Sequence, residues 1–431
     1  MERKFIRLLK QWEEQKSPEP LMVTGARQVG KTWLLKQFCE ENYEDYVYVN
    51  LEEQRDCLSA FEGNLNPEAI IRTLEQLLGR AIGKGTAIFF DEIQQSEKAI
   101  TSLKYFCESP HNYRVLCAGS LLGVKLVRFE SSFPVGKVRV KRMYPMDFEE
   151  FLLACGEEAL RDGIAMAAKS MKPLPDGVHQ KALRLYHDYL FTGGMPRMVQ
   201  EYLARDKNVM HMDRENFQNL QLAYLADMSK YTTSPAEGVK IVEVYNSVPR
   251  QLARDNPKFK YSEVRPRATR RDFQAPVDWL TASGMVYRVN KLEAPLIPLK
   301  GYEDAESFKI YLSDTGLLIN MCALPYQTLL SETHNIYKGS VIENYVVQQL
   351  TAKGKALYYF KPSESMEIDL VWEEEGQIVP AEIKSGRHKR STSLKNFREK
   401  YHPLKAFRFS ELNFGESDGL LSVPLYACFC I

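Results

Sequence analysis

Residues Leu21 to Thr32, LMVTGARQVGKT, constrain the fold more than any other stretch of the chain. Apolar residues run into Gly25, and Gly30, Lys31 and Thr32 complete a GxxxxGKT spacing ahead of an amphipathic run, WLLKQF. A strand, a glycine-bearing loop and a helix in that order form a phosphate-binding loop. The backbone N–H groups of Gly25, Ala26, Arg27, Gln28, Val29 and Gly30 are expected to turn inward around a β-phosphate, with the positive end of the following helix behind them. Lys31 would reach the β- and γ-phosphates, and the Thr32 hydroxyl would hold Mg²⁺. ATP and Mg²⁺ are therefore the expected ligands.

The segments that follow extend the same pattern. YVYVNL, residues 46–51, reads as a second strand, and Ile70, Ile71, Leu74, Leu77 and Leu78 form a helical stripe between Pro67 and Arg80. TAIFFDEIQ then supplies a continuous apolar strand with Asp91 and Glu92 at its C-terminal end. Open α/β sheets bind ligands at that end. Asp91 is placed to hold Mg²⁺, and Glu92 to polarise the water that attacks the γ-phosphate. A helix over 96–108 leads to RVLCAGS, where Ser120 either senses the γ-phosphate or simply turns the strand into a loop. Strands alternating with helices to about residue 145 predict an α/β fold with a parallel, doubly wound sheet.

Composition excludes several classes. Fifty-seven basic and 56 acidic residues nearly cancel, so only local clusters speak for a nucleic-acid partner. No segment approaches the ~20 apolar residues of a membrane span, and MERKFIRLLKQWEEQ reads as a surface helix with Phe5, Leu8, Leu9 and Trp12 on its apolar stripe. Eight cysteines without a CxxC pair suit reduced thiols and a cytoplasmic location. Cys428 and Cys430, which would share a face if on a strand, read as packing residues.

GARQVGKT, TAIFFDEIQ, CAGSLLG and YPMDFEEF together resemble prokaryotic AAA-type P-loop ATPases that carry a long C-terminal region. TGGMPR (192–197), FKIYLSDTGLL (308–318) and KGSVIENYV (338–346) extend the resemblance over nearly the whole chain. It implies an ATPase core over 1–145, a helical lid over 146–235, a winged-helix segment over 236–325 and a restriction-endonuclease-like domain over 326–431. Gly136-Lys137 stands where such proteins usually show Gly-Arg, which leaves Arg128, Arg139 and Arg142 as nearby arginine-finger candidates.

Residues 146–255 are rich in helical pattern, and Gly193-Gly194 before Met195-Pro196 marks a sharp turn, with Arg197 at the helix start. Between 262 and 318 the order is helix, helix, strand, a polar wing at 301–307, then strand. Arg265, Arg267, Arg270 and Arg271 would neutralise phosphates if the recognition helix met DNA; the alternative is a solvated charged face.

The second chemical constellation is MEIDLVWEEEGQIVPAEIKSG, two alternating runs around a polar turn. Glu367, Asp369, Glu382 and Lys384 fall on one face, expected to be exposed. Residues two apart on a strand are ~6.6 Å apart, so Glu382 and Lys384 lie side by side with Asp369 across the hairpin. The pattern resembles the PD-(D/E)xK restriction-endonuclease-like superfamily: Asp, then Glu-x-Lys, with a Glu on a preceding helix, here Glu343 in GSVIENYVVQQL. Asp369 and Glu382 would bind Mg²⁺ or Mn²⁺, and Lys384 would orient a water or stabilise transition-state charge. Lys384, Arg387, Lys389, Arg390, Lys395 and Arg398 form a basic tract suited to a DNA or RNA backbone. Three outputs remain open: an ATP-dependent nuclease, an ATP-driven switch that binds nucleic acid without cutting, and a module that docks a protein partner.

Overall fold

The computed structural model describes residues 1–431 except Ser17, Lys84, Leu121, 128–132, 231–233, Asp255, 332–334, 364–365 and 386–391. Arg128 and, of the basic tract, Arg387, Lys389 and Arg390 lie outside the described residues. The chain divides into two compact units: residues 2–144 with 282–284, and Met1 with 145–281 and 285–431.

The first unit is built on five parallel strands, β1 (Leu21–Thr24), β2 (Tyr46–Asn50), β3 (Ala87–Asp91), β4 (Val115–Ala118) and β5 (Arg139–Arg142), in the order β2-β3-β4-β1-β5. β3 and β4 are buried along their whole length, which their unbroken apolar runs require. Ile88, Phe90, Val115 and Cys117 pack with Ile70, Leu74, Leu103 and Phe106 from flanking helices. Each fully buried side chain of that size contributes about 1.5–3 kcal/mol. Helix starts follow local chemistry. Asn66 accepts the Glu68 N–H ahead of Pro67–Leu78, and Ser96 accepts the Ala99 N–H ahead of Glu97–Glu108. The helix Phe5–Glu13 buries Leu9 and Trp12 of its stripe.

Among the described residues the second unit carries six α-helices between residues 148 and 252, followed by strands β6 (Val286–Leu292), β7 (Glu303–Leu312), β8 (Tyr358–Ser363), β9 (Met366–Glu374), β10 (Gln377–Ile383), β11 (Ala406–Ser410), β12 (Gly415–Ser417) and β13 (Leu420–Pro424). They form one mixed sheet, β12-β13-β11-β10-β9-β8-β6-β7. β6 and β7, expected to flank a wing, are thus the end of this sheet, with β6 parallel to β8 across position 325/326. The polar wing at 301–307 also differs: β7 begins at Glu303, and the connection precedes it. The run Phe308–Leu312 is buried throughout, so it needs cover that an isolated wing does not provide.

That cover is the helix Ile336–Ala352, apolar on most sides and buried along Val341–Leu350. Its Asn344 accepts the Leu312 N–H at 2.8 Å and donates to the Leu312 carbonyl at 3.0 Å, satisfying main-chain groups of the last strand. Two of the sequence motifs meet nearby. Buried Asp314 caps the helix Thr315–Met321 through the Leu317 N–H and accepts the Gly194 N–H at 2.6 Å, tying SDTGLL to the TGGMPR turn. Burial raises the Asp314 carboxyl to about 6, against these backbone donors. All eight cysteines are free, and Cys428 and Cys430 lie in a 3₁₀ turn (Leu425–Cys430) rather than on a strand. Among the described residues, no helix is long and apolar enough to cross a membrane.

Candidate functional site

In the first unit the loop between β1 and the helix Lys31–Asn42 has the shape its glycines demand. Gly25 has φ 139°, and a Cβ there would come within 2.2 Å of the Met143 carbonyl oxygen. Gly30 (φ 95°) stands at the N-cap, with no described side chain capping the helix, so the first-turn N–H groups remain directed at the loop. Gln28 also takes a left-handed conformation, φ 63°. The Lys31 ammonium donates to the carbonyls of Gly25 and Ala26, both at 2.8 Å. These are neutral partners that a phosphate oxygen can replace.

Thr32 Oγ1 donates to Asp91 Oδ2 at 2.8 Å, so the loop and the end of β3 meet as the sequence requires. Tyr48 adds a hydroxyl to the same oxygen at 3.1 Å, and the Glu92 N–H takes the other at 3.0 Å. Glu92 leaves the strand in a left-handed conformation, φ 51°, and is largely withdrawn from solvent. Burial raises its carboxyl above the ordinary glutamate range, while the Gln94 amide donates to it and pulls the other way. Gln94 fits because residue 119 is glycine: a Cβ there would lie 2.0 Å from Gln94 Oε1. Ser120 is buried just beyond β4, the neighbour of β3. The described arginine-finger candidates are engaged within the unit, Arg139 with Glu19 at 3.5 Å and Arg142 with the Ala282 carbonyl at 3.0 Å; Lys137 pairs with Glu108 at 3.2 Å. Arg197, in the second unit, donates to Asn216.

Residues 17–152 match the family model of an AAA domain. The first unit holds an AAA-type P-loop ATPase domain. Downstream of this AAA domain, residues 183–328 and 338–425 match two domains of unknown function, DUF8612 and DUF4143. Among solved structures the chain is similar to a Walker-type ATPase of Pyrococcus abyssi, at 16% identity over 73% of this chain and 94% of that one, TM-score 0.45. It is also similar to the ORC2 protein of Aeropyrum pernix (13% identity, 75% and 92% covered, TM-score 0.32) and to Cdc6p of Pyrobaculum aerophilum (14%, 76% and 93%, TM-score 0.27). None of the curated proteins matches the chain.

In the second unit, Glu343, Asp369, Glu382 and Lys384 line one cleft of about 390 Å³, together with Lys309 and Glu367. β9 and β10 form the expected hairpin, and their register places Asp369 and Glu382 one step beyond the Leu370–Ala381 pair. The Ile383 N–H donates to Asp369 Oδ2 at 2.7 Å. Burial, then the charge of Glu343, hold the Asp369 carboxyl well above the usual aspartate range. The face is not exposed as the alternation implied: Glu382 is only 5% accessible, because the cleft is roofed by the helix bearing Glu343. Glu382 Oε1 pairs with Lys384, while Glu382 Oε2 is buried without a partner among the described residues.

That orphaned oxygen beside Asp369 fits a divalent cation of the Mg²⁺ type, which binds through one or two carboxylates and completes its shell with water and substrate oxygens. Among the described residues no group of three His, Cys, Asp or Glu side chains is arranged to hold a metal ion. Glu343 is engaged elsewhere. Its Oε1 accepts from Lys309 at 3.0 Å and from the Tyr311 hydroxyl at 2.5 Å. Of the basic tract, Lys384 is paired as above, Lys395 faces Glu399 at 3.7 Å and Arg398 donates to the Asp418 carbonyl. Arg265 and Arg270 pair with Glu243 and Glu306, both at 2.7 Å.

Tyr48, Gln94, Lys309 and Tyr311 were not evident as site residues in the sequence. Gln94 carries a signal, two places after Glu92 in DEIQ; for Lys309 it is a lysine inside the apolar run FKIYL.

Proposed function

We propose that the AAA domain binds ATP with Mg²⁺ and hydrolyses it. The observation that carries this is the Thr32–Asp91 hydrogen bond at 2.8 Å, with Glu92 adjoining it and Lys31 held on exchangeable carbonyls. Lys31 exchanges the Gly25 and Ala26 oxygens for phosphate oxygens. Thr32 and Asp91 are the residues that would hold Mg²⁺, which supplies charge neutralisation at the phosphates. Glu92, ionised, accepts the proton of the attacking water, and Ser120 lies at the strand tip suited to a γ-phosphate contact. Glu92→Gln keeps the shape and removes the base. It is expected to bind ATP as the parent does and to lower kcat about a hundredfold or more. Unchanged turnover in a steady-state phosphate-release assay would reassign the base.

We further propose that the second unit is a restriction-endonuclease-like module acting on a nucleic-acid backbone, under control of the ATPase. Its support is the unpartnered buried oxygen of Glu382 beside Asp369 and Lys384. Asp369 and Glu382 would hold Mg²⁺ or Mn²⁺, which polarises a phosphodiester when bound. Lys384 then stabilises the added negative charge on the phosphate oxygens. Metal-dependent cleavage of single- and double-stranded DNA and RNA, with and without ATP, is expected for the parent and to be lost in Lys384→Ala with ATPase activity retained. Salt-sensitive binding without cleavage would make the cleft a recognition surface. Absence of both would leave a switch that addresses a protein partner.

A further inference from the structure

The acidic cleft of the second unit already contains a cation. Lys309 projects from β7, is 1% accessible, and places its ammonium 3.0 Å from Glu343 Oε1 and 2.8 Å from Glu367 Oε1. Tyr311, two residues along the same strand, donates to Glu343 as well, and Lys361 reaches the other oxygen of Glu367 at 3.2 Å. The Tyr359 ring lies 5.0 Å from the Lys309 ammonium. One positive charge held between two carboxylate oxygens is the arrangement in which a metal ion would otherwise sit. The only described carboxylate oxygen of the cleft found both buried and without a partner is Glu382 Oε2, on the strand paired with the one that bears Asp369.

We propose that Lys309 is a built-in second cation: it occupies the position between Glu343 and Glu367, so the cleft takes a single divalent cation, at Asp369 and Glu382. Glu343 is then a positioning residue that holds Lys309, and not a group that touches the metal or the reacting atoms. The inference rests on the divalent-cation reading of the cleft given above. It has a chemical consequence. With one mobile cation instead of two, the divalent ion and Lys384 would share the charge of a phosphodiester, and the fixed ammonium of Lys309 does not exchange with solvent.

The test uses Mn²⁺ with the full-length chain in the absence of nucleotide, reading bound ion by the loss of the free-Mn²⁺ electron paramagnetic resonance signal and by calorimetry. The parent is expected to bind one Mn²⁺ per chain at this cleft, and Asp369→Asn to weaken it more than a hundredfold. Glu343→Gln is expected to retain one Mn²⁺ with affinity lowered less than tenfold, the through-space effect of one lost negative charge. Lys309→Met is expected to take up a second Mn²⁺, removed again by adding Glu367→Gln. Loss of Mn²⁺ in Glu343→Gln on the scale of Asp369→Asn, or two ions per chain that both persist when Asp91→Asn removes the site of the AAA domain, would overturn the role of Lys309 while leaving the metal reading intact. A parent that binds no Mn²⁺ sensitive to Asp369→Asn would overturn the metal reading and the inference together. Glu343→Gln decides the matter even if Lys309→Met does not fold, because it keeps the buried ammonium and its Glu367 partner.

Discussion

The two sites use a buried lysine beside a pair of acids, yet they hold it in opposite ways. Lys31 donates to two neutral carbonyls of its own loop, partners that cost little to leave. Lys309 lies between two carboxylates. Burial opposes its charge, but Glu343, then Tyr311 and Glu367, outweigh it and hold its pKa well above the ordinary lysine value. Burial likewise works against the Glu367 carboxylate, and Lys309 and Lys361 keep it below the usual glutamate range. The comparison separates a lysine poised to move onto a substrate from one fixed as part of the framework.

The largest expected effect is on stability and distinguishes the two. Lys309→Met leaves two partly buried carboxylates without their shared counter-ion, with only Tyr311 and Lys361 still on them, and is expected to cost about 3 kcal/mol in urea unfolding. Added Mn²⁺ should recover part of that. Lys31→Ala removes the two hydrogen bonds to neutral carbonyls and is expected to cost on the order of 1 kcal/mol, but to weaken ATP binding by about 3 kcal/mol, roughly a hundredfold. A Lys31→Ala variant as unstable as Lys309→Met, or one retaining tight ATP binding by fluorescence titration, would erase the contrast.

The same contrast explains what the sequence made legible. The phosphate-binding residues are consecutive, and Asp91 and Glu92 end an apolar strand whose type and direction are plain from Ala87–Phe90. Local order therefore specifies that site, up to the left-handed turn at Glu92 and the Gln94 clamp, the latter needing Gly119 just beyond the next strand. The hairpin of Asp369 and Glu382 was legible for the same reason, two alternating runs about a short turn. Lys309 was not. Its partners come from a helix and a strand 34 and 58 residues away, and a lysine in FKIYL carries no mark of its counter-ions. Alternation assigned Glu382 to solvent because period-two patterning distinguishes two faces but cannot tell which element covers them. The wing was misplaced on similar grounds. β6 and β7 pair as a hairpin, but the parallel contact of β6 with β8 joins segments more than 60 residues apart. No local pattern encodes that pairing.

The smallest effect sharpens the account of Glu92. Its carboxyl must be ionised to accept a proton, and burial raises its pKa, so the acid limb of ATP hydrolysis is expected above the ordinary glutamate value of 4.5, with the rate falling as pH falls through it. The Gln94 amide favours the ionised form and so holds that limb down. Gln94→Met removes the donor while keeping a flexible side chain of similar length against Gly119. Loss of one hydrogen bond to a charged group, on the order of 1.5 kcal/mol, corresponds to about one pH unit, and the limb should move up by that amount with the alkaline side unchanged. Stability should hold or rise, because the substitution also deletes Gln94 Oε1, a buried oxygen without a partner among the described residues. A downward shift of the limb would mean that Gln94 restrains the protonated form instead, and that Glu92 is held in reserve rather than poised as the base.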